Sequence, residues 1–339
     1  MKTRMIFFTL MIASFVTVQQ AMPGAAVAAH NTSRGGWAGV ITLTGRAQTA
    51  MSANGSLSAQ PLQTEAKTLD FTTISVCDSC STQPIGISNK GVVTGGYFDA
   101  GGNPHGFLLT KSGSYVTFDV PGALFLEAGR SNPSGYIAGD FVAEDGIDRP
   151  FVRNPDGSFD LRAGFAGASV TYAIDINSRG DLAGSYTLDP DAANGFTGYV
   201  MRGSRFIATF SYPEANVTNT YVLGQNESGA IVGSYKTTTA DEEHGFLRTA
   251  HGKFKQIDYP GSLQTEAFGI NDAGDIVGRY LDAGGVNHGF LLSDGDFTTF
   301  DSAGPNTFAW GINSKGNIVG WAFPTASDGF IGFKLLKAN

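Results

Sequence analysis

A block of the form Asn-x-x-Gly-x-x-x-Gly recurs six times along this chain, and so regular a repeat leaves few architectures open. The copies start at Ser88 (with Gly91 and Gly95), Asn132 (Gly135, Gly139), Asn177 (Gly180, Gly184), Asn226 (Gly229, Gly233), Asn271 (Gly274, Gly278) and Asn313 (Gly316, Gly320), with Ser in place of Asn in the first. Successive starts lie 44, 45, 49, 45 and 42 residues apart. Each block is followed by a polar loop and then a Gly-Phe or Pro-Phe segment, beginning at His105, Arg149, Gly195, His244, His288 and Gly329. After a short turn comes an aromatic segment: YVTFD ending at Asp119, FDL from Phe159, FIATFS from Phe206, FKQID ending at Asp258 and FTTFD ending at Asp301.

Each repeat therefore reads as four short strands, for example Glu266–Asn271, Asp275–Tyr280, His288–Leu292 and Phe297–Asp301. The first Gly of the block supplies the positive φ that a tight hairpin needs. Helical repeats of similar length are excluded, because each interior Gly would cost a helix about 1 kcal/mol. Four strands in about 40 to 50 residues is the pattern of a propeller blade. The expected fold class is all-β, a six-bladed β-propeller with four-stranded blades. The sixth repeat has no aromatic fourth strand before the chain ends at Asn339, whereas FTTIS at Phe71–Ser75 matches FTTFD at Phe297–Asp301. The N-terminal strand is expected to complete the last blade and leave no sheet edge open. An open solenoid is the alternative, and it has no use for Phe71–Ser75 at the far end.

Composition narrows the class further. The 339 residues include 46 Gly and 13 Pro, about 17% together, short of the level of low-complexity disorder and without a collagen period. An apolar share of 42% with 15% charged residues can build a core. A formal charge of -8 and a pI near 5.1 offer no basic stripe for nucleic acid or for an anionic membrane.

The first 28 residues read as a secretory signal: Lys2 and Arg4, the apolar run Met5–Val18, then small residues at Ala25–Ala29,. The apolar run is 14 residues long, short of the roughly 20 needed to span a bilayer. Cleavage after Ala28 removes two cations and no acid, leaving -10. Residues 29–67 read as a flexible leader rich in Ser, Gly and Ala, with one strand around Trp37–Thr42 as the alternative on its β-branched content,. Residues 68–339 form the repeat domain. The two cysteines, Cys77 and Cys80, read as a small-loop disulfide in an exported protein rather than a redox or zinc pair. The sequons at Asn54, Asn216 and Asn226 matter only if the source glycosylates its secreted proteins,.

Taken together, the repeated blocks and the Gly-Phe strands resemble the HAF-type extracellular repeat family of bacteria, named for a His-Ala-Phe core between glycines. The resemblance covers about Leu69 to Phe333. Here the core reads His-Gly-Phe at His105, His244 and His288, and the His is absent at Arg149-Pro150, Gly195 and Gly329. The resemblance implies export to the periplasm, cell surface or medium and a repeat architecture, and it implies no activity.

In a propeller, each Glu266-type strand is innermost and begins on one face, called the top here. The first position of that strand, aligned across the six repeats, reads Gln83, Glu127, Tyr172, Tyr221, Glu266 and Phe308. Aromatic faces stack on sugar rings and carboxylates accept hydroxyl hydrogen bonds, so these six are the candidate ligand-binding residues; filling between blades is their alternative role. Glu127 and Glu266 belong to opposite blades, too far apart for the carboxylate pair of a glycosidase, so no catalytic residue is assigned. The acids Glu144, Asp145, Asp148, Asp241, Glu242 and Glu243 are read as solvated loop charges, with Ca²⁺ the one cation they could take. The three histidines start strands in non-adjacent blades, against a shared zinc. No nucleophile elbow, P-loop, dinucleotide fingerprint or HExxH motif occurs,.

The expected function is an exported, monomeric binding module without a cofactor. Its partner is carbohydrate or another surface polymer at the top face. The alternatives are a polysaccharide lyase or hydrolase at the same place, and a structural surface protein that presents loops to protein partners.

Overall fold

The computed structural model describes residues 37–42, 68–238, 242–302, 306–323 and 329–337. The expected signal segment lies outside the described residues, as does the leader apart from Trp37–Thr42. Among the described residues all regular structure is β-strand.

The strands group into six antiparallel meanders, one per repeat. Unit one comprises Ser81–Ile87, Val93–Phe98, Pro104–Leu109 and Tyr115–Phe118. Unit two comprises Phe125–Ser131, Ile137–Val142, Asp148–Arg153 and Phe159–Leu161. Units three and four run Val170–Ile176, Asp181–Thr187, Thr197–Arg202, Arg205–Phe210 and Val217–Gln225, Ile231–Thr237, Glu243–Arg248, Phe254–Ile257. Unit five has Gln264–Ile270, Ile276–Leu281, Asn287–Ser293 and Asp296–Phe300. Unit six has Thr307–Ile312, Ile318–Ala322 and Ile331–Leu335.

The missing fourth strand of unit six comes from the N-terminal side, as the repeat arithmetic requires. Thr68–Ile74 pairs antiparallel with Ile331–Leu335, Phe71 opposite Leu335 and Ile74 opposite Gly332. Phe71 is buried against Phe300 and Phe333. Part of the segment read as a flexible leader is a strand after all: Trp37–Thr42 pairs with Thr68–Phe71 and, at its far end, with Phe300 and Thr299 of unit five. Its β-branched content suits a sheet edge, and it covers the edge that Thr68–Ile74 would otherwise leave unpaired.

The repeated Asn has two tasks. Its Oδ1 accepts the main-chain N–H groups two and four residues on, as in Asn271 with Ala273 and Asp275, and so holds the hairpin whose Gly274 has φ +92. Its Nδ2 reaches the next unit: Asn132 donates to Asn177 O, Asn226 to Asn271 O, Asn271 to Asn313 O, and Asn313 to Ser88 O. The last of these ties unit six to unit one. The first strands also lie side by side around the set, the sixth beside the first. The architecture is propeller-like: six meanders with their first strands inward.

Every first strand carries a bulge at the same place, between Pro84 and Gly86, Ala128 and Ser131, Ala173 and Asp175, Val222 and Gly224, Ala267 and Gly269, and Ala309 and Gly311. A bulge redirects one side chain. Here it turns Ile85, Ile174, Leu223, Phe268 and Trp310 into one central apolar cluster. The next residue is Gly in units one, four, five and six, but Arg130 in unit two and Asp175 in unit three. Arg130 fills the space the glycines leave: a Cβ on Gly86 would stand 2.9 Å from its Cγ. Its guanidinium donates to Leu223 O at 2.5 Å, Phe268 O at 2.8 Å and Trp310 O at 2.6 Å, and lies 3.6 Å from Asp175.

Candidate functional site

The six aligned first-strand positions share one register level, and the residues they face on the second strand coincide only in units three and four. Gln83 stands opposite Gly96, Glu127 opposite Asp140, Tyr172 opposite Ser185, Tyr221 opposite Ser234, Glu266 opposite Arg279 and Phe308 opposite Trp321. The scaffold beneath repeats throughout; this layer repeats only in the Tyr–Ser pairs of units three and four.

In unit six the layer is filled. Phe308 is 1% exposed and stacks on Trp321 at 4.2 Å, with Phe268 and Phe323 beyond. Phe308 is thus a packing residue, not a face offered to a ligand, because the rings of Trp321, Phe268 and Phe323 enclose it. Tyr221 packs against Phe196 at 5.0 Å and the Tyr172 hydroxyl donates to Val222 O at 3.2 Å. Burial pushes both phenols up.

Units four and five hold a charge network. Arg279, 0% exposed, donates from Nε to Glu266 at 2.6 Å and from Nη1 to Asn287 at 2.9 Å, and lies 3.8 Å from Glu243. Burial pushes Glu266 up to about 8 despite Arg279, and the Glu243 carboxyl adds to the rise. Burial would also raise Glu243, but Lys236 holds it below the usual range, with Arg279 assisting. Glu243 was read as a solvated loop acid; it is the first residue of a third strand and points inward, 3% exposed.

Asp148 corrects the same reading in unit two. It also begins a third strand, is 8% exposed, and stands close enough to Asp140 for the two carboxyls to act on one another. With Glu127 these acids make a trio, and burial pushes all three up, Glu127 to about 7. Asp148 Oδ1 has no hydrogen-bond partner. Of the other acids, Asp145 pairs with Arg149 at the surface, Glu144 and Glu242 are exposed, and Asp241 lies outside the described residues. No group of three His, Cys, Asp or Glu side chains is arranged for a metal among the described residues.

The histidines stay apart. His105 stacks on Tyr97 at 4.9 Å and is held by Asp119 at 2.7 Å and Asp99 at 3.4 Å. His288 repeats this with Tyr280, Asp301 and Asp282, and His244 with Tyr235 and Asp258. Each is a clamp within its own unit. Cys77 and Cys80 are joined as a disulfide.

Some buried polar atoms are left without hydrogen-bond partners in the protein. Gln83 Nε2, in a side chain 2% exposed, has none; nor do Asp148 Oδ1 and the indole nitrogens of Trp310 and Trp321. Thr94 Oγ1, Ser302 Oγ and the Nε atoms of Arg153, Arg162 and Arg248 are likewise unpartnered, so such atoms occur in several units, and Gln83 Nε2 and Asp148 Oδ1 are the ones at or beside the first-strand positions of units one and two. A narrow cleft between units one and two is lined by Gln83 and Glu127 together with Tyr97, Phe98, His105 and Phe125. At the opposite mouth a larger polar hollow lies over Arg130 and Asp175, lined by the repeated asparagines, Glu227 and Asp272. Its rim is already engaged: Glu227 accepts from Ser178 N and Asp272 from Glu227 N.

The raised Glu127 has a consequence for stability. Its folded value of about 7 exceeds its ordinary 4.5, so the folded chain binds this proton more tightly. The stabilisation is fully present below pH 4.5 and lost as pH rises through 7. Glu127→Gln is expected to flatten that decline, with a gain of about 3 kcal/mol at pH 8 relative to the parent, read from urea melts across pH 4 to 8.

No protein-family model matches the chain, and no curated protein does. Among solved structures, a gluconolactonase from Xanthomonas campestris is similar at 11% identity, covering 88% of this chain and 97% of its own, with a TM-score of 0.49. Aleuria aurantia lectin in complex with α-methyl-L-fucoside matches at 13% identity over 66% of this chain and 78% of its own, TM-score 0.39. AofleA from Arthrobotrys oligospora matches at 12%, over 70% and 76%, TM-score 0.43. Identities of this size and scores below 0.5 transfer no residue role to this chain.

Proposed function

We propose that this chain is an exported extracellular-repeat protein whose six units are the blades of one closed propeller. It acts as a monomeric binding module, taking carbohydrate or another surface polymer at its top face. The observation that carries the reading is the contrast between layers: hairpin turns, bulges and buried third-strand aromatics repeat throughout, while the top layer repeats only as the Tyr–Ser pairs of units three and four and holds the unpartnered Gln83 Nε2 and Asp148 Oδ1. Stability alone would be served by repeating the top layer as well. Unsatisfied buried polar groups are unfavourable and call for a partner.

The acid trio of Glu127, Asp140 and Asp148 favours a second reading, a polysaccharide hydrolase or lyase, since a carboxyl kept protonated near neutral pH can act as a general acid. The aromatic filling around Phe308 favours a third, a structural protein that only presents loops.

A thermal-shift screen of oligosaccharides against the mature chain, with and without Ca²⁺, separates the three. A ligand at a hundred times its Kd stabilises the fold by about 2.7 kcal/mol. A hit is expected, weakened in the Glu127→Gln, Glu266→Gln double variant and recovered intact after incubation. A hit that is cleaved supports the enzyme, and no hit across the panel supports the structural protein.

A further inference from the structure

We infer that the cleft between units one and two is a subsite for the hydroxyl edge of a single neutral sugar residue, such as the terminal residue of a glycan. The inference rests on the carbohydrate reading above and locates it away from the filled centre of the top face.

The cleft joins one unpartnered donor to one carboxyl acceptor. Gln83 Nε2 lies buried in its wall with no acceptor in the protein. Glu127, at the equivalent position of the neighbouring first strand, lines the same cleft. A donor beside an acceptor is the complement of two adjacent hydroxyls, each of which both gives and takes a hydrogen bond. Phe125 stands half-buried at its mouth beside Phe98 and Tyr97 and offers flat apolar surface to the C–H face of a pyranose,.

Size and charge define the ligand further. The cleft has a volume of about 20 Å³, enough for one or two water-sized groups and not for a ring. The hydroxyl edge would enter while the ring rests across the aromatic mouth. The one cationic candidate in the lining, His105, is already engaged by Asp99 and Asp119. An anionic sugar would therefore find no free positive charge in the lining, and the ionised form of Glu127 would repel it. The rim is also preset: His105 is clamped between its two aspartates and stacked on Tyr97, so little side-chain freedom is lost on binding.

The test uses the mature full chain with methyl glycosides of glucose, galactose, mannose and fucose, and glucuronate as the anionic counterpart, by calorimetry and ligand-observed NMR. The discriminating variant is Gln83→Met, close in volume and without the donor. Because it removes an unsatisfied buried group, it is expected to melt no lower than the parent while binding the preferred glycoside at least tenfold more weakly. Phe125→Leu, which keeps apolar volume and removes the flat face, is expected to weaken the same glycoside. Equal affinity in Gln83→Met and the parent overturns the subsite and leaves the carbohydrate reading standing. Preference for glucuronate overturns the neutral class. Absence of binding by the parent to any glycoside, and to the oligosaccharides of the wider screen, overturns both readings and assigns an ordered water to Gln83.

Discussion

Arg130→Met is expected to lower the unfolding free energy by about 3 to 5 kcal/mol, the range for removing one partner of a buried charge pair. The substitution strips the donors from Leu223 O, Phe268 O and Trp310 O and leaves Asp175 without its cation. Urea melts at pH 7 measure the loss. Adding Asp175→Asn should recover part of it, because the buried carboxylate, then held only by the N–H groups of Gln225 and Ile176, accounts for much of the penalty,. A loss under about 1 kcal/mol would mean that water satisfies the three carbonyls and that the arginine fills space without holding the units together.

Phe71→Ala is expected to cost a comparable amount, about 3 to 5 kcal/mol, as for other large-to-small changes at buried aromatics. Phe71 is 3% exposed and sits on the strand that completes unit six, between rings of units five and six. The energetic loss should be accompanied by a qualitative one. A chain shortened to begin after Ser75 exposes the Ile331–Leu335 edge, and an unpaired strand edge is a template for association. Size-exclusion chromatography should show the shortened chain oligomeric or aggregated, while Phe71→Ala remains monomeric. A shortened chain that stays monomeric and melts like the parent would sink the closing role of this strand.

What could be read from the sequence was what local chemistry dictates. Glycines at the hairpins are required by positive φ, as at Gly91 and Gly274, and a requirement of that kind is visible in every copy. The third-strand aromatics Phe107, Phe151, Phe246 and Phe290 are 0% exposed, as their repetition implied. The closing strand was legible because it copies Phe297–Asp301. Arg130 was not. Its acceptors are 93, 138 and 180 residues away, and the only signal was an exception, one arginine where four repeats have glycine. Asp148 and Glu243 were misread because polar flanks hide the start of a strand, whose alternation decides which side faces inward. The second task of the repeated Asn, a bond to the next unit, had no local mark at all.

The asparagine bonds are unevenly distributed, and that unevenness has a dynamic consequence. Between units three and four, Asn177 turns to Asp181, but Arg179 donates to Glu227 O and Gln225 Nε2 to Asp181 O in its place. Between units one and two, Ser88 is too short to cross, and the described bond on that face is an exposed one from Lys90 to Pro133 O. Thermal breathing concentrates where the fewest bonds must break. Opening is expected to be easiest at the junction whose one such bond is exposed, which carries the cleft on its other face, and a ligand held by Gln83 and Glu127 would clasp it where the serine cannot.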